Sequence, residues 1–197
     1  MIKIILDTNI IGDAHLPEPP DWLLEWFGIL PRGAVAIPSI VIYETEYGIR
    51  LAERHNPIKA GYVLEWFEEL LEQNLEVLDL GIAGSRLLGR MAACPPLRHI
   101  FETPPRFNRH GEEIKNNKIR LGADAMIAAI SIAHGIPVAT RNTRDFLHIH
   151  RFFPLPGLYD PARDNWSVDP PPGWGLTNNA NDDEPDDRPR LELAFKA

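Results

Sequence analysis

Four acidic residues occur where the local pattern predicts either the end of a strand or the inner face of a helix. They are Asp7, Glu44, Asp124 and Asp145. Asp7 directly follows the apolar run at residues 2–6 and precedes Thr8 and Asn9, so a buried strand would deliver its carboxylate into a turn. Carboxylates that share one place repel one another, and at neutral pH they need a divalent cation or bound protons to coexist. The acids therefore predict a metal-dependent hydrolytic site.

Each acid alone also has an ordinary structural explanation. Asp7 suits a turn or a cap, Glu44 suits the surface of a helix, and Asp145 suits the N-cap of a short terminal helix. Asp124 lies in the middle of an alanine-rich stretch, where a buried and unpaired carboxylate would be costly. Asp124 is therefore the acid that an ordinary structural role explains least.

The segments that must position these acids alternate between strand and helix patterns. Compact apolar or alternating runs predict strands at 2–6, 34–37, 75–80 and 137–140. Amphipathic or alanine-rich runs predict helices at 21–27, 40–54, 60–72, 83–93 and 121–134, with Ser39 as the N-cap of the second. This alternation predicts an α/β sandwich with a mainly parallel sheet, in which sites form beyond the carboxyl ends of the strands.

The length of 197 residues is enough for one sizeable domain. The formal net charge of −8 at first argues against a nucleic-acid binder, because such proteins usually carry a basic patch. Residues 160–197 contain nine acidic and four basic residues, so they hold −5 of this charge and leave −3 for residues 1–159. We predict one folded domain at 1–159 and a Pro/Asp-rich extension at 160–197 that is disordered or draped over it.

Residues 94–119 fit no regular element, because they combine several prolines with mixed charges and little periodicity. We predict an irregular insertion, and loops of this length are commonly functional or disordered. Its basic residues are Arg98, His99, Arg106, Arg109, His110, Lys115 and Lys118. They bring positive charge close in sequence to Asp124.

The sequence offers little for a transition-metal site. Cys94 is the only cysteine, which excludes an intramolecular disulfide and a cysteine-rich zinc site. His148 and His150 are predicted as neighbours on one face of a strand. Surface positions are the better explanation for them, because no third ligand is close in sequence.

The distribution of apolar and aromatic residues bears on where the protein is located and whether it forms oligomers. Met1 leads straight into a charged strand without the regions of a signal peptide, and no segment reaches ~18 uncharged apolar residues. We predict a cytoplasmic protein that does not span a membrane. Four aromatic residues on the two early helices favour a core or a subunit interface over base stacking, and they raise the expectation of a homodimer. They are Trp22, Trp26, Trp66 and Phe67.

Four motifs in order resemble the PIN-domain family over about residues 1–150. They are Asp7-Thr8-Asn9 after a strand, Pro38-Ser39 to Glu44 opening a helix, Asp124-Ala125-Met126-Ile127-Ala128-Ala129 within a helix, and the segment from Thr140 to Phe146 after a strand. Within that family the sequence is most similar to the VapC-type toxins of toxin–antitoxin pairs. The resemblance implies a three-layer α/β/α fold, a Mg²⁺- or Mn²⁺-dependent endoribonuclease that hydrolyses RNA phosphodiester bonds, and a cognate antitoxin as partner. The insertion and the extension depart from the compact members of the family.

The resemblance also implies roles for the acids. Asp7 and Asp124 would be the principal metal ligands, and Glu44 and Asp145 would bind through water or orient the attacking water. Thr8 or Asn9, and Thr140 or Asn142, would hold these carboxylates and waters in place through hydrogen bonds. The candidates for RNA phosphate contacts are Arg120, Arg141 and Arg144. The alternative is a catalytically silent PIN-fold module that binds RNA or acts as a scaffold, and the presence of all four acids favours the enzyme.

Overall fold

The computed structural model describes residues 3–31, 33–73, 75–102, 106–110, 113–114 and 122–175. The strands in these ranges are β1 (Ile4–Leu6), β2 (Val35–Pro38), β3 (Glu76–Leu78), β4 (Arg106–Phe107), β5 (Glu113–Ile114), β6 (Val138–Ala139), β7 (Leu158–Asp160) and β8 (Asn165–Val168). The α-helices are α1 (Thr8–Ala14), α2 (Asp21–Ile29), α3 (Ser39–Glu53), α4 (Pro57–Glu72), α5 (Gly81–Ala92), α6 (Arg98–Phe101), α7 (Ala123–His134) and α8 (Thr143–His150). A 3₁₀ turn at Pro95–Leu97 precedes α6.

The main sheet has six strands in the order β3-β2-β1-β6-β7-β8. The first five are parallel, and β8 pairs antiparallel with β7 at one edge. The chain leaves β1 toward β2 on one side and returns to β6 on the other, so the order reverses at β1. Ligand sites of open α/β sheets form beyond the carboxyl ends of strands at such a reversal. The predicted α/β fold with a mainly parallel sheet is confirmed.

The central strands are buried on both faces, as expected when helices cover a parallel sheet. Every residue of β1, β2, β6 and β7 is buried, and Ile4, Ile5 and Leu6 are fully inaccessible. Strands covered on both sides read as continuous apolar runs rather than as alternating ones. This is why the short runs at β1 and β2 were visible in the sequence.

Helix α7 is the most buried helix, and its start is set by a glycine. Gly122 is the N-cap in the left-handed conformation (φ 64°), and a Cβ there would lie 2.7 Å from the Phe101 ring. A side chain at this position would therefore be both strained and crowded. The prediction placed Asp124 in mid-helix, but the helix begins at Ala123, so Asp124 lies in the first turn. A carboxylate there interacts favourably with the helix dipole, which lowers the cost expected for a mid-helix position.

Three further local predictions were wrong. Helix α1 begins directly after Asp7, where a turn was predicted, because the Asp7 side chain caps it. Pro38, not Ser39, is the N-cap of α3. His148 and His150 lie on helix α8 rather than on a strand, since the segment after Asn142 continues as two helical turns.

The predicted boundary at residue 160 falls inside β7, and β8 adds a strand to the same sheet. Trp166 and Trp174 pack edge to face with ring centroids 4.7 Å apart, and the Trp174 indole donates to the Lys3 carbonyl at 2.9 Å. Residues 176–197 lie outside the described residues. The predicted insertion contains the 3₁₀ turn, α6 and the β4–β5 hairpin, and its remaining residues also lie outside the described ranges.

The early aromatic residues belong to the core. Trp26 and Phe67 are buried, and Trp22 and Trp66 pack against the core with part of their surface exposed. The homodimer stays a prediction. In the part of the chain that the structure describes, no helix has both the length and the apolar character needed to cross a bilayer.

Candidate active site

Asp7 lies where the central strand β1 ends and helix α1 begins. Its Oδ1 accepts a hydrogen bond from the Thr8 backbone N–H at 2.7 Å. Its Oδ2 accepts hydrogen bonds from Asn9 Nδ2 and from Thr140 Oγ1, each at 2.6 Å. The carboxylate is therefore fixed through both oxygens, and Oδ1 keeps acceptor capacity beyond the single bond from Thr8.

Burial controls the charge state of Asp7, of which 3% is exposed. Burial raises the pKa of Asp7 from 3.8 to about 6, and the nearby Glu44 carboxylate adds to the increase. The hydrogen bonds from Thr140, Thr8 and Asn9 lower the pKa but do not cancel the effect of burial. A positive charge beside Asp7 would favour its ionised form and lower its pKa.

Thr8 connects Asp7 to Glu44. Its backbone N–H binds Asp7, and its hydroxyl donates to Glu44 Oε2 at 2.6 Å. Glu44 lies in the second turn of α3, the helix that follows β2, and β2 is the strand next to β1. One residue thereby sets the positions of two carboxylates from neighbouring strand ends.

Thr140 follows strand β6 and is fully buried. Its hydroxyl donates to Asp7 Oδ2 and accepts from Asn9 Nδ2 at 2.9 Å and from the Asn142 backbone N–H at 2.8 Å. A hydroxyl has one donor and two acceptor positions, so all of its hydrogen-bonding capacity is used. Thr140 therefore joins the β1 side of the site to the loop after β6.

Asn142 brings the other two acids into the same network. It is the N-cap of α8, and its Nδ2 donates to Asp124 Oδ2 at 3.3 Å and to Asp145 Oδ2 at 3.0 Å. The amide nitrogen carries two hydrogens, so each carboxylate receives one. Asp124 comes from the first turn of α7 and Asp145 from the first turn of α8. The structure thus brings all four predicted acids, together with the four predicted supporting residues, into one hydrogen-bonded network.

The sequence did not indicate Asp13. Its Oδ1 accepts a hydrogen bond from Arg141 Nη2 at 2.9 Å, and Arg141 Nε lies 2.8 Å from Oδ2 without hydrogen-bond alignment. The Arg141 backbone N–H also donates to Asn9 Oδ1 at 3.1 Å. Asn9 and Asp13 are four residues apart on α1, so they share one face. That spacing was the available signal, and the predicted turn after Asp7 concealed it.

The arginine candidates occupy different surroundings. Arg141 is already held by Asp13, whereas Arg144 is exposed beside Asp145. Arg120 lies outside the described residues. Phosphate contacts by Arg141 and Arg144 stay predictions.

The donor set suits a hard cation. Carboxylate and amide or hydroxyl oxygens are the ligands that Mg²⁺ prefers, and Mg²⁺ commonly binds through one or two carboxylates while it keeps several waters. Among the described residues, no three Asp, Glu, His or Cys side chains already surround one point closely enough to hold a metal ion. These oxygen donors are of the kind that a water-rich Mg²⁺ ion takes, and the described residues do not form a closed protein cage.

Comparison with known proteins found a matching family and several relatives. The family model described as PIN domain matches residues 4–151. Toxin FitB of Neisseria gonorrhoeae is 29% identical over 144 residues, which cover 73% of this chain and 90% of that protein. VapC ribonuclease Y4jK of Sinorhizobium fredii is 28% identical over 143 residues, which cover 73% of this chain and 89% of that protein.

Among solved structures, the chain is similar to DNA-bound VapBC from Salmonella typhimurium. The match has a TM-score of 0.52 and 26% sequence identity, and it covers 75% of this chain and 92% of the matched chain. The similarity spans nearly the whole length of these proteins. The matched family region ends at residue 151, so β7 and β8 follow it.

Proposed function

The chain belongs to the PIN domain family, and from that premise we propose that it is a Mg²⁺- or Mn²⁺-dependent endoribonuclease that acts as the toxin of a toxin–antitoxin pair. The family that the sequence motifs indicated is confirmed. One observation supports the activity above all others: Thr8, Thr140 and Asn142 tie the four acids into a single network at the carboxyl ends of β1 and β6.

The proposed roles follow from the position of each acid. By resemblance to the family, Asp7 and Asp124 would hold the ion; Asp7 is the buried carboxylate at the end of β1, and Asp124 joins the same network through Asn142. When bound, the ion lowers the pKa of water and offsets charge on the phosphate, so no protein nucleophile is needed. Glu44 and Asp145 would accept hydrogen bonds from water and orient it for attack on phosphorus. Thr140 and Asn142 would keep these carboxylates in place while substrate binds.

The substrate and the partner rest on the relatives. One relative is named a ribonuclease and another a toxin. We therefore propose RNA as substrate and a cognate antitoxin as protein partner. A homodimer remains part of the proposal without support from the contacts described above.

The test compares Asp124→Asn with Asp79→Asn. Asp124→Asn keeps a carbonyl oxygen for Asn142 but removes a ligand charge, whereas Asp79 is exposed and precedes α5. Total RNA and a defined hairpin are incubated with Mg²⁺, Mn²⁺ or EDTA. We expect Asp124→Asn to lower cleavage by roughly 100-fold or more, Asp79→Asn to leave it unchanged, and EDTA to abolish it.

Two outcomes contradict this proposal. Cleavage that persists in EDTA would exclude a metal-dependent mechanism. Absence of cleavage by the unaltered protein, with RNA binding retained, would assign the chain to the silent RNA-binding alternative. The melting temperature in excess Mn²⁺ measures metal binding independently of RNA cleavage, because an ion that binds the native state raises the melting temperature. The increase should disappear in Asp124→Asn and persist in Asp79→Asn.

A further inference from the structure

Charge is divided unevenly between two groups of helices. Helices α2, α3 and α4 contain nine acidic and two basic residues. Helices α5, α6 and α8 contain four arginines and one acid, Asp145, which belongs to the active site. The net charge of −8 therefore conceals a basic group of helices on a mildly acidic body.

Side-chain contacts link these basic helices at the surface. The Arg90 guanidinium of α5 lies over the Phe153 ring, 5.9 Å from its centre, just beyond the end of α8. The His148 ring of α8 packs against His99 of α6, with ring centroids 5.0 Å apart. His148 Nε2 also lies 3.0 Å from the carbonyl oxygen of Pro96 in the 3₁₀ turn. Both α5 and α8 pack against α7, and these side-chain contacts link α5, α6 and the end of α8 at the surface.

The arginines of this surface are available to a ligand. Arg86, Arg90 and Arg144 are exposed, as is Arg151 just after α8, and none of these four forms an ion pair with another described residue. Arg98 of α6 is not counted among them, because it pairs with Glu102. Arg86 lies one helical turn before Arg90, and Arg144 lies one turn before His148. By contrast, Arg50 on the acidic helices pairs with both Glu46 and Glu53.

The surface is continuous with the active site. Asp145 and Arg144 are neighbours in the first turn of α8, and the helix carries His148 and then Arg151 away from the carboxylates. Eight residues of α-helix extend for about 12 Å, which places the far end of this row beyond the reacting centre. A chain of phosphates that enters the site would need positive charge along such a path, since the site itself presents carboxylates.

We propose that Arg86, Arg90, Arg144 and Arg151 form the surface, called here the arginine surface, that binds the phosphate backbone of the RNA substrate. This inference rests on the proposed ribonuclease function and adds where the RNA lies. Contacts to phosphate position a nucleic acid without reading its sequence. Binding at the arginine surface should therefore be weakly sequence-dependent and strongly salt-dependent.

The test uses two triple variants with the same loss of charge. Arg86→Gln, Arg90→Gln and Arg151→Gln together remove three charges from the arginine surface and leave Arg144, beside the acids, intact. Arg50→Gln, Arg54→Gln and Lys59→Gln together remove three charges at α3 and α4. The probe is a fluorescent single-stranded oligoribonucleotide of mixed sequence with 2′-O-methyl groups, which resists cleavage. Its dissociation constant is measured at salt concentrations from about 50 to about 200 mM.

We expect the arginine-surface triple to bind about tenfold or more weakly at low salt, with a salt slope smaller by roughly 2, because each lost phosphate contact removes about 0.7. The control triple should match the unaltered protein. Equal slopes for the two triples, or no binding by the unaltered protein, would overturn the inference. The inference would also be overturned if the three arginine substitutions weakened the binding of duplex DNA more than the binding of RNA.

The cleavage assay separates this inference from the proposed function. The arginine-surface triple should raise KM about tenfold on unmodified RNA and leave kcat unchanged, since the four acids remain. If the arginine-surface triple cleaved RNA normally with an unchanged KM, RNA binding by the arginine surface would be rejected and the nuclease function retained. No cleavage by any protein would reject the nuclease, while the binding experiment would still decide the surface. If the triple does not fold, Arg86→Gln and Arg151→Gln singly should each lower the salt slope by roughly 0.7.

Discussion

The Thr140 hydroxyl joins the two halves of the candidate site. Asp7, Asn9 and Asn142 all bond to this one oxygen, and the residue is fully buried. A buried hydroxyl with all of its positions used determines where its partners lie, because each partner would be left unsatisfied without it. Thr140 should therefore affect stability and catalysis although it holds no metal itself.

Thr140→Val tests this position. Valine has nearly the same shape but leaves the Asn142 backbone N–H and one hydrogen bond to Asp7 unmade, so we expect the free energy of unfolding to fall by roughly 2 kcal/mol. We also expect a lower kcat with little change in KM. Urea denaturation and RNA cleavage provide the measurements. Thr140→Ser keeps the hydroxyl and is the control, and equal behaviour of the valine and serine variants would contradict the role given to this oxygen.

Asp7 should make the metal-free protein less stable as pH rises. Its folded pKa of about 6 exceeds the ordinary 3.8, so the folded state retains a proton that the unfolded state has released. The stability from this group is fully present below about pH 3.8 and is lost as pH rises through about 6.

Chemical denaturation in EDTA at about pH 4 and about pH 7 measures this effect, with Asp7→Asn and the exposed control Asp79→Asn. Relative to the unaltered protein, Asp7→Asn should be more stable at the higher pH than at the lower one, because asparagine does not ionise. Asp79→Asn should follow the unaltered protein at both values. A constant difference between Asp7→Asn and the unaltered protein across this range would show that Asp7 titrates normally.

At the scale of elements, α1 and the loop after β6 hold each other in place. Asn9 and Asp13 on one face of α1 bind the backbone and the side chain of Arg141. The Asp13 side chain is 13% exposed and that of Arg141 46% exposed, so solvent weakens the pair. Burial raises the pKa of Asp13, and the charge of Arg141 opposes this increase. The pair positions the loop that carries Thr140 and Asn142.

Two substitutions separate positioning from phosphate binding. If Arg141 acts by holding α1, Asp13→Asn and Arg141→Gln should each cost about 1 kcal/mol of stability and lower kcat to the same degree, with coupling in the double variant. If Arg141 contacts phosphate, Arg141→Gln should weaken RNA binding far more than Asp13→Asn. We expect the two single variants to lose stability, kcat and RNA affinity to the same degree, as measured by denaturation, RNA cleavage and RNA binding.

Prediction from sequence succeeded where local pattern decides structure. The acids Asp7 and Asp145 were indicated because each follows a short apolar strand, and Glu44 because it follows β2 at helical spacing. Helix α1 was missed since Asp7-Thr8-Asn9 also suits a turn, and the contacts that favour the helix come from residues about 130 positions away. Strand β7 was missed because its three residues are specified by pairing with β6, about twenty positions earlier. Strand β8 was missed with it, because β8 pairs only with β7 in the described sheet.

At the scale of the whole molecule, the carboxyl and amino ends of the parallel strands have different roles. The carboxyl ends of β1 and β6 carry the acids, whereas the chain beyond β8 returns to the amino end of β1. A row of aromatic contacts runs from Trp26 through Tyr159 and Trp166 to Trp174. The last of these donates its indole N–H to the carbonyl of Lys3, just before β1. Residues that follow the matched family region thus fasten the sheet at the end opposite the site.

Trp174→Ala should therefore weaken the fold without altering the chemistry. The half-buried indole loses its packing against Trp166 and its hydrogen bond to Lys3, and we expect the free energy of unfolding to fall by roughly 2 kcal/mol. Trp174→Phe keeps an aromatic ring and should lose about 1 kcal/mol, and Tyr62→Ala, which removes an exposed ring from α4, should change little. Well below the melting temperature, kcat should equal that of the unaltered protein, because Lys3 and the acids lie at opposite ends of β1. If Trp174→Ala were as stable as Tyr62→Ala, the returning segment would add nothing to the stability of the fold. If fully folded Trp174→Ala had a lower kcat, the two ends of β1 would be coupled.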